Sequence, residues 1–429
     1  MFEKLSLIFK DPDLRKKLFF VLVALIVFRV MAALPIPGVD LEQIRQFFAG
    51  NRFFGLLNIF SGGALDNFSI AMLGVGPYIT ASIIMQLMTM IIPRLKEIAQ
   101  EEGEIGRRKF NQYSRLLTIP LAIVQGFALL VLLERQGAIP PLVFFDRLIN
   151  ITIIAAGSIV LMWLGELISE YGIGNGISIL IFAGIVSSIP SGIRSVLVTV
   201  GRTEFPYIDP TLIPTVLGFI IIGVLVIAGV VIVSEGERPI PVSYAKRVRG
   251  MRVYGGVSTH LPLRVNQAGV IPIIFALSIL LFPQMIVGFL AQSSNGAIRQ
   301  ISEAVLSFIS SSWFYGVAYF VLVFLFTYFY TAVTFDPDQI SSNLQKQGAF
   351  VPGIRPGRPT SDFLSKILTR ITLLGALFLG FIAVLPVIMQ GVTGVAALTI
   401  GGTGLLIVVS VVLETIKQVE AQLVMREYE

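Results

Sequence analysis

The chain has 429 residues, of which 55% are apolar and only 14% are charged, and its mean hydropathy is +0.84. Soluble domains average about 25% charged residues, so a chain of this composition could not cover a water-facing surface and is predicted to be solvated by lipid. It has no cysteine and one histidine, His260, which excludes disulfide frameworks and thiol catalysis and disfavours zinc clusters and histidine relays.

Apolar runs long enough to cross a bilayer recur along the whole chain, since a spanning helix needs about 20 apolar residues. The runs cover residues 18–34, 70–92, 116–133, 148–165, 177–193, 211–234, 268–290, 313–335 and 371–413. The last run is too long for one helix, and Gln390-Gly391-Val392-Thr393-Gly394 divides it with turn-forming residues. The sequence therefore predicts an all-α integral membrane protein with ten transmembrane helices in two halves of five.

The positive charges predict the orientation of these helices. Alternate loops and both tails on one side hold 24 of the 32 Lys and Arg residues, the other side holds 7, and Arg29 lies inside the first span. Because cytoplasmic loops are enriched in Lys and Arg, both termini are expected in the cytoplasm. This also explains the net charge of +6 without nucleic acid. Pro35-Ile36-Pro37-Gly38 after the first span is no cleavage site, so that helix is expected to be retained.

These predictions divide the chain into two halves with a tail at each end. The divisions are an N-terminal cytoplasmic tail 1–17, a first half 18–193 that includes a short segment 54–66, an outer connection 194–210, a second half 211–413 with cytoplasmic loops 235–266 and 336–370, and a C-terminal tail 414–429.

Helix-breaking residues occur in the second span of each half, and we expect them in its outer-to-middle part. Span 2 contains Gly74, Gly76 and Pro77, and span 7 contains Gly269 and Pro272. Interrupted helices at matched positions of two halves indicate a substrate path between the halves. Glycine and proline are also common in membrane helices in general, which is the alternative explanation.

An apolar segment that is too short to span follows the first helix, from Phe53 to Leu65. Backbone at membrane depth that does not span must be buried in protein or line a cavity, so one interpretation is a short re-entrant helix that closes a pore. The other is an amphipathic helix on the outer membrane surface.

Motifs from one end of the chain to the other resemble those of one family. They are Leu73-Gly74-Val75-Gly76-Pro77-Tyr78-Ile79-Thr80 in span 2, Gly172-Ile173-Gly174-Asn175-Gly176 between spans 4 and 5, Tyr244-Ala245-Lys246-Arg247 and Ser258-Thr259-His260-Leu261-Pro262 in loop 6/7, and Gly348-Ala349-Phe350-Val351-Pro352-Gly353-Ile354-Arg355-Pro356-Gly357 in loop 8/9. Together they resemble the SecY family. The resemblance implies a channel that passes unfolded polypeptide across the membrane or sideways into lipid.

The resemblance also implies an apolar constriction between the halves. By motif, this pore ring falls on Val75, Ile79, Ile181, Ile185, Ile274 and Ile407. Val75 stands where the family usually has isoleucine. Apolar constrictions gate by dewetting, although each isoleucine taken alone would be read as ordinary helix packing.

Residues 54–66 resemble the family's plug, and spans 2 and 3 against 7 and 8 resemble its lateral gate. The plug residues are Phe54, Leu57, Ile59, Phe60, Gly62, Gly63 and Leu65. The two glycines supply flexible backbone for a hinge. Thr80 and Gln86 in span 2 are expected to face the gate; the alternative is hydrogen bonding to a neighbouring helix, worth about 0.6 kcal/mol each.

The cytoplasmic loops resemble the family's docking surface for the ribosome and the SecA motor ATPase. Arg247, Arg249, Arg252, Arg355 and Arg358 could clamp phosphate or carboxylate groups there. The positive-inside bias accounts equally well for most of these arginines, but Arg355 lies in a Pro-Gly-rich turn that fixes its direction. The resemblance further implies SecE-type and SecG-type small subunits, signal sequences and unfolded polypeptides as partners, contact with membrane lipid, no DNA, and a bacterial plasma membrane location.

Other functions fit the sequence less well. The chain has no Gly-Lys dipeptide and so no phosphate loop, and no cofactor, metal or enzymatic activity is expected. A secondary transporter would share the two halves but usually carries ionisable groups deep in the membrane, whereas Arg29 and Glu166 lie near span ends. The sequence also allows a scaffold or insertase without a pore, but the plug-like segment argues against that alternative.

Overall fold

The computed structural model describes residues 11–36, 61–65, 67–100, 102–135, 137, 139–200, 213–244, 247–249, 252–254, 258–290, 295–309, 311–393 and 397–427. The predicted plug residues Phe54, Leu57, Ile59 and Phe60 lie outside these ranges.

Helices dominate the first half of the chain. They are α1 (Pro12–Ala33), α2 (Gly76–Ile91), α3 (Pro93–Gln100), α4 (Gly103–Arg135), α5 (Phe144–Tyr171) and α6 (Gly176–Val200). Five of them, all except α3, lie at the first five predicted spans. The motif between spans 4 and 5 forms a short turn in which Asn175 caps α6: its Oδ1 accepts the backbone N–H of Ile177 at 3.1 Å and of Ser178 at 3.3 Å.

The second half repeats this helical pattern and adds short strands. Its elements are α7 (Ile213–Glu235), β1 (Glu237–Tyr244), β2 (Arg247–Arg249), β3 (Arg252–Tyr254), β4 (Ser258–Arg264), α8 (Ile271–Leu290), α9 (Gly296–Ile309), α10 (Ser312–Thr334), α11 (Pro337–Lys346), β5 (Ala349–Phe350), α12 (Arg358–Thr393) and α13 (Ala397–Glu427). The predicted spans 6 to 10 correspond to α7, α8, α10, α12 and α13. The helical membrane architecture is confirmed, and the helix positions agree with ten spans.

A stricter criterion for a membrane span requires one unbroken helix that is both long and apolar enough to cross a bilayer. Among the described residues, the stretches Gly103–Glu134, Phe144–Tyr171, Trp313–Lys346 and Arg358–Ile388 pass it, and a fifth span is added if α2 and α3 count as one unit bent by 116°. Shorter apolar helices follow at Gly176–Pro190, Ile221–Glu235 and Ile271–Leu280. The 36 residues of α12 extend over about 54 Å, longer than the roughly 30 Å hydrocarbon core, so this helix must project beyond the bilayer.

The loops are more structured than the sequence suggested. Loop 2/3 is largely α3 and the first turns of α4, and the predicted C-terminal tail continues α13 to Glu427. Loop 6/7 forms strands, which we did not predict: β1 lies between β4 and β5 in one antiparallel sheet, and β2 pairs with β3. Since β5 belongs to loop 8/9, this sheet joins the two large basic loops.

The predicted helix breakers do not interrupt helices, and their placement on one side of the membrane was wrong. Gly74 and Gly269 adopt left-handed backbone, at φ +57° and +61°, and α2 and α8 each begin two residues later with proline as their second residue. Each half has five spans, so span 2 and span 7 cross the membrane in opposite directions. Gly269 therefore adjoins the basic loop 6/7, while Gly74 adjoins the opposite side.

The surface of the helical bundle is apolar, as expected for contact with lipid. Large apolar side chains are exposed on several helices, among them Phe19 (67%), Leu225 (65%) and Leu374 (64%). The largest buried cluster draws residues from α1 and α2 in the first half and from α8, α10 and α13 in the second. The main core thus lies between the two halves.

A buried ion pair fixes the connection between α4 and α5. Glu134, whose side chain is 8% exposed, accepts hydrogen bonds from Arg147 Nη2 at 2.7 Å and from the Leu142 backbone N–H at 2.8 Å. We expect Glu134→Gln to destabilise the protein by about 2 kcal/mol, because hydrogen bonds to charged groups contribute about 1.5–3 kcal/mol. Thermal unfolding in detergent measures the change.

The control for this prediction is an exposed ion pair on α4. Arg108 and Glu104, 78% and 79% exposed, lie 2.7 Å apart, and Glu104→Gln should cost no more than about 0.5 kcal/mol. Equal shifts for the two variants would show that the Glu134 pair contributes no more than a surface pair.

Candidate functional site

All six predicted pore-ring residues lie in one buried apolar cluster. No side chain among them is more than 7% exposed: Val75, Ile79, Ile181, Ile185, Ile274 and Ile407. They come from four separate helices or helix starts, namely α2, α6, α8 and α13. The fold therefore brings together residues that are more than 300 positions apart in the chain.

Small residues allow these helices to approach closely. A Cβ at Gly404 in α13 would lie 2.9 Å from Ile185 Cγ2 on α6, so a larger residue there would force the Ile185 side chain or one of the helices to shift. In this way Gly404 places α13, and with it Ile407, against α6. No Asp, Glu, Lys or Arg lies within four positions of any of the six ring residues, so the helix turns that carry them hold no fixed charge.

The described end of the plug-like segment, residues 61–65, packs into the same region. Ala64 is fully buried in the ring cluster, and Leu65 is fully buried in a second cluster with Phe68 and Met72. Ser61 Oγ accepts the Leu65 backbone N–H at 3.1 Å, which closes the segment into a compact turn. The segment thus connects the ring cluster to the neighbouring core of the first half.

Backbone hydrogen bonds attach the chain after this segment to the residues that follow the C-terminal end of α1. The Ile36 N–H donates to Phe68 O at 2.9 Å, and the Ile70 N–H donates to Leu34 O at 3.0 Å. The predicted plug residues that the structure describes, Gly62, Gly63 and Leu65, therefore lie near the C-terminal end of the first span.

The two predicted gate residues face different environments. Thr80 Oγ1 donates to Gly76 O at 3.0 Å and accepts from Gln125 Nε2 of α4 at 3.5 Å, so it links α2 to α4. Gln86 Nε2 donates to Ser82 Oγ at 3.5 Å, whereas the buried Gln86 Oε1 has no partner among the described residues. Helix α8 packs against both α2 and α4.

The predicted docking arginines lie on two neighbouring structures. Arg247 and Arg249 are on β2 and Arg252 is on β3, with Arg249 directly opposite Arg252 in the strand register. Arg355 and Arg358 are exposed in loop 8/9. Pairing of Ser243 with Phe350 and of Tyr244 with Ala349 joins the two loops.

Hydrogen bonds from α11 and α12 hold the turn that carries Arg355. Ser341 Oγ donates to Gly357 O at 2.7 Å, and Thr360 Oγ1 donates to Arg355 O at 2.8 Å. Gly353 and Gly357 adopt φ +82° and +92°, a backbone region that favours glycine. The turn is thus held from both ends and its arginine points into solvent.

Sequence reasoning missed three polar contributors to the site. Gln125 bonds Thr80, Ser187 of α6 accepts from Arg29, and the buried Asn266 donates to Gly269 O at 3.1 Å at the start of α8. Each is a polar residue inside or beside an apolar run, which is a detectable signal, but their partners lie elsewhere in the chain. No cluster of metal-ligating side chains occurs in the part of the chain that the structure describes.

Comparison with known proteins decides the family. The family model for SecY matches residues 69–416. The chain belongs to the SecY family. The SecY translocase subunits of Streptomyces coelicolor and Mycobacterium tuberculosis are each 43% identical to it over 441 residues, covering 98% of this chain and 97% of the relative. The subunit of Corynebacterium glutamicum is also 43% identical, with 98% of both chains covered.

Solved structures share this SecY-family fold. A protein-conducting channel superposes with a TM-score of 0.63 at 23% identity, covering 95% of this chain and 92% of that one. A SecY structure described by the role of its plug domain in the closed state gives 0.62 over the same coverage. Sec61 in the canine ribosome-channel complex gives 0.58 at 23% identity, again with 95% and 92% covered.

Proposed function

We propose that this SecY-family chain is the central channel subunit of a protein translocase, which conducts unfolded secretory polypeptides across the membrane and releases transmembrane segments laterally into lipid. The observation that carries the proposal is the single buried cluster formed by the six ring residues from both halves. An apolar constriction hinders ions by dewetting, yet it contacts any passing side chain without requiring a particular hydrogen bond.

The segment 54–66 acts in this proposal as the plug. The burial of Ala64 and Leu65 supports it, because these residues fill space beside the ring. Helices α2 and α4 on one side and α8 and α10 on the other form the lateral gate. The unpaired Gln86 Oε1 supports a gate position, since a buried acceptor without a partner is costly unless an incoming group or water can satisfy it.

The two joined basic loops form the cytoplasmic docking surface for the ribosome and a SecA-type motor. The exposed Arg355 in its braced turn is the best candidate for a fixed contact to a phosphate or carboxylate group. The chain has no phosphate loop of its own, so the energy for translocation comes from such partners, and the chain itself is not an enzyme. We further propose SecE-type and SecG-type subunits as partners, a bacterial plasma membrane location and cytoplasmic termini.

A secondary transporter is the rival function. Such a protein would need ionisable groups in the central cluster for ion coupling. The helix turns that carry the six ring residues hold no Asp, Glu, Lys or Arg, which favours a chemically variable substrate over one solute.

Site-specific crosslinking of a stalled secretory polypeptide tests the channel. Single cysteines at Ile79, Ile181, Ile274 and Ile407 give unique attachment points, because the chain has no cysteine. We expect adducts at all four positions and none at a control cysteine at Leu374, which is 64% exposed on the outer face of α12. Adducts at Leu374 alone, or at none of the ring positions in folded protein, would contradict the channel and favour the transporter.

A further inference from the structure

One charged side chain connects the first span, the plug-like segment and the fifth span. Arg29 Nη1 donates to Gly62 O at 2.8 Å and to Ser187 Oγ at 2.6 Å. Ser187 in turn donates to Gly184 O at 2.7 Å, so its oxygen is fixed on α6. The three contacts join positions on α1, in the segment 61–65 and on α6 that lie far apart in sequence.

The backbone at Gly62 is enclosed by the same two helices. Its φ is +70°, and a Cβ there would lie 2.5 Å from Phe28 Cζ and 3.0 Å from Gly184 Cα. The neighbouring Gly63 also has a positive φ, +81°, but a Cβ there would meet nothing within 4 Å. Only Gly62 therefore combines the left-handed backbone with close contact to α1 and α6.

A charge at this position requires a reason. Arg29 lies four residues before the end of its helix, where an arginine costs less than at the bilayer centre but still needs polar partners or water. Here the guanidinium has a backbone carbonyl as acceptor, and hydrogen bonds from a charged donor are stronger than those between neutral groups. The acceptor belongs to the segment that must move if the channel is to open.

We propose that Arg29 is a positioning residue that latches the plug in the closed channel, by holding Gly62 O against Ser187 of α6. The proposal rests on the plug function proposed above. When the segment leaves, Arg29 loses its carbonyl acceptor, so the contact stabilises the closed arrangement over the open one. A contact shifts such an equilibrium only by the difference between its interaction free energies in the two states.

A simpler role for Arg29 is an anchor whose positive charge reaches the membrane interface. That role depends on the charge alone and involves neither Gly62 nor Ser187. Substitutions that leave Arg29 in place therefore separate the two explanations.

The test of the latch is the resting ion conductance. It is measured on the full chain, reconstituted with its partner subunits and without substrate, and it reports the fraction of open channels. Loss of one charge-assisted hydrogen bond is expected to raise the open fraction about tenfold or more. We expect such an increase for Arg29→Gln and Gly62→Ala, and a smaller one for Ser187→Ala, which removes the second acceptor of Arg29 and a long contact from the Ser187 hydroxyl to Gly62 O at 3.5 Å. Adding Ser187→Ala to Arg29→Gln should add little, because the direct contact of Ser187 with Gly62 O is long, at 3.5 Å, and Ser187 acts mainly through Arg29.

Gly63→Ala is the matched control, since it imposes the same backbone strain without the close contact. In the Gly62→Ala background, Phe28→Leu removes the obstructing ring and should lower the conductance toward that of Phe28→Leu alone. If Gly63→Ala leaks as much as Gly62→Ala, strain explains the effect and the latch is wrong.

Deleting the plug separates failure of the latch from failure of the plug. If the deletion of residues 54–66 leaks but Arg29→Gln and Ser187→Ala stay sealed, the latch is overturned and the plug stands. If the deletion also stays sealed, the plug function itself is overturned. Ser187→Ala is a small change on α6 and keeps the test decisive even if Arg29→Gln fails to fold.

Discussion

Deletion of residues 54–66 is expected to leave a folded protein that leaks ions at rest. The described end of this segment fills space beside the ring, with Ala64 and Leu65 fully buried. Its removal opens that space to water on the outer side and leaves the apolar ring as the remaining barrier. Single-channel recording in planar bilayers without substrate measures the change, and we expect openings that the unmodified protein shows far more rarely.

A linker of equal length serves as the control for this deletion. Replacing residues 54–66 by a flexible Gly/Ser sequence keeps the chain connection but removes the apolar side chains. This variant should leak like the deletion. A sealed linker variant would show that the connection alone closes the pore, and an unchanged conductance in both variants would remove the plug assignment.

The spanning helices could be predicted from sequence because lipid imposes a simple rule. A segment in the hydrocarbon core must satisfy its backbone hydrogen bonds internally, so each long apolar run becomes a helix. The predicted helices are too short where charged residues interrupt the apolar run. Helix α4, for example, begins at Gly103, thirteen residues before the apolar run at Leu116. Helix continues into water wherever the residues favour it, and hydropathy gives no information about that part.

The small sheet could not be predicted in this way because its strands contain prolines. Pro239 and Pro241 in β1 and Pro262 in β4 lack the N–H that a ladder needs, and proline normally argues against a strand. The two prolines of β1 are tolerated because β5 pairs only with Ser243 and Tyr244, which leaves that side of β1 unpaired at both prolines. Pro262 is tolerated because β4 is itself an edge strand. The signal available in the sequence was the apolar residues Ile240 and Val242 at alternate positions, both of which the fold buries.

Pattern and family resemblance contributed differently to the site. The ring residues followed from the motifs, because an isoleucine in an apolar helix has no signal of its own. Neither pattern nor resemblance could predict the contact of Arg29 with Gly62 and Ser187. These partners lie 33 and 158 positions away in the sequence, and only the fold determines the direction of the Arg29 side chain. Arg29 was noticeable as a charge in a span, but its partner was not.

Ile79→Ser is expected to make the resting channel leak. Ile79 is 6% exposed and lies in the ring cluster. A hydroxyl in an apolar constriction gives water a hydrogen-bonding partner and opposes the dewetting that seals it. Proteoliposomes loaded with an ion-sensitive dye measure the leak, and Ile274→Ser from the opposite half should increase it further when combined.

Ile83→Ser separates a change in the ring from a general loss of packing. Ile83 lies one turn further along α2, is 3% exposed and belongs to the same cluster, but it is not a ring residue. Both substitutions remove a similar buried side chain and should each cost roughly 3 kcal/mol of stability. If only Ile79→Ser leaks, the seal depends on the apolar surface at that one level of the pore. Equal leaks would instead mean that the cluster seals through its packing as a whole, and the constriction could not then be assigned to the six predicted residues.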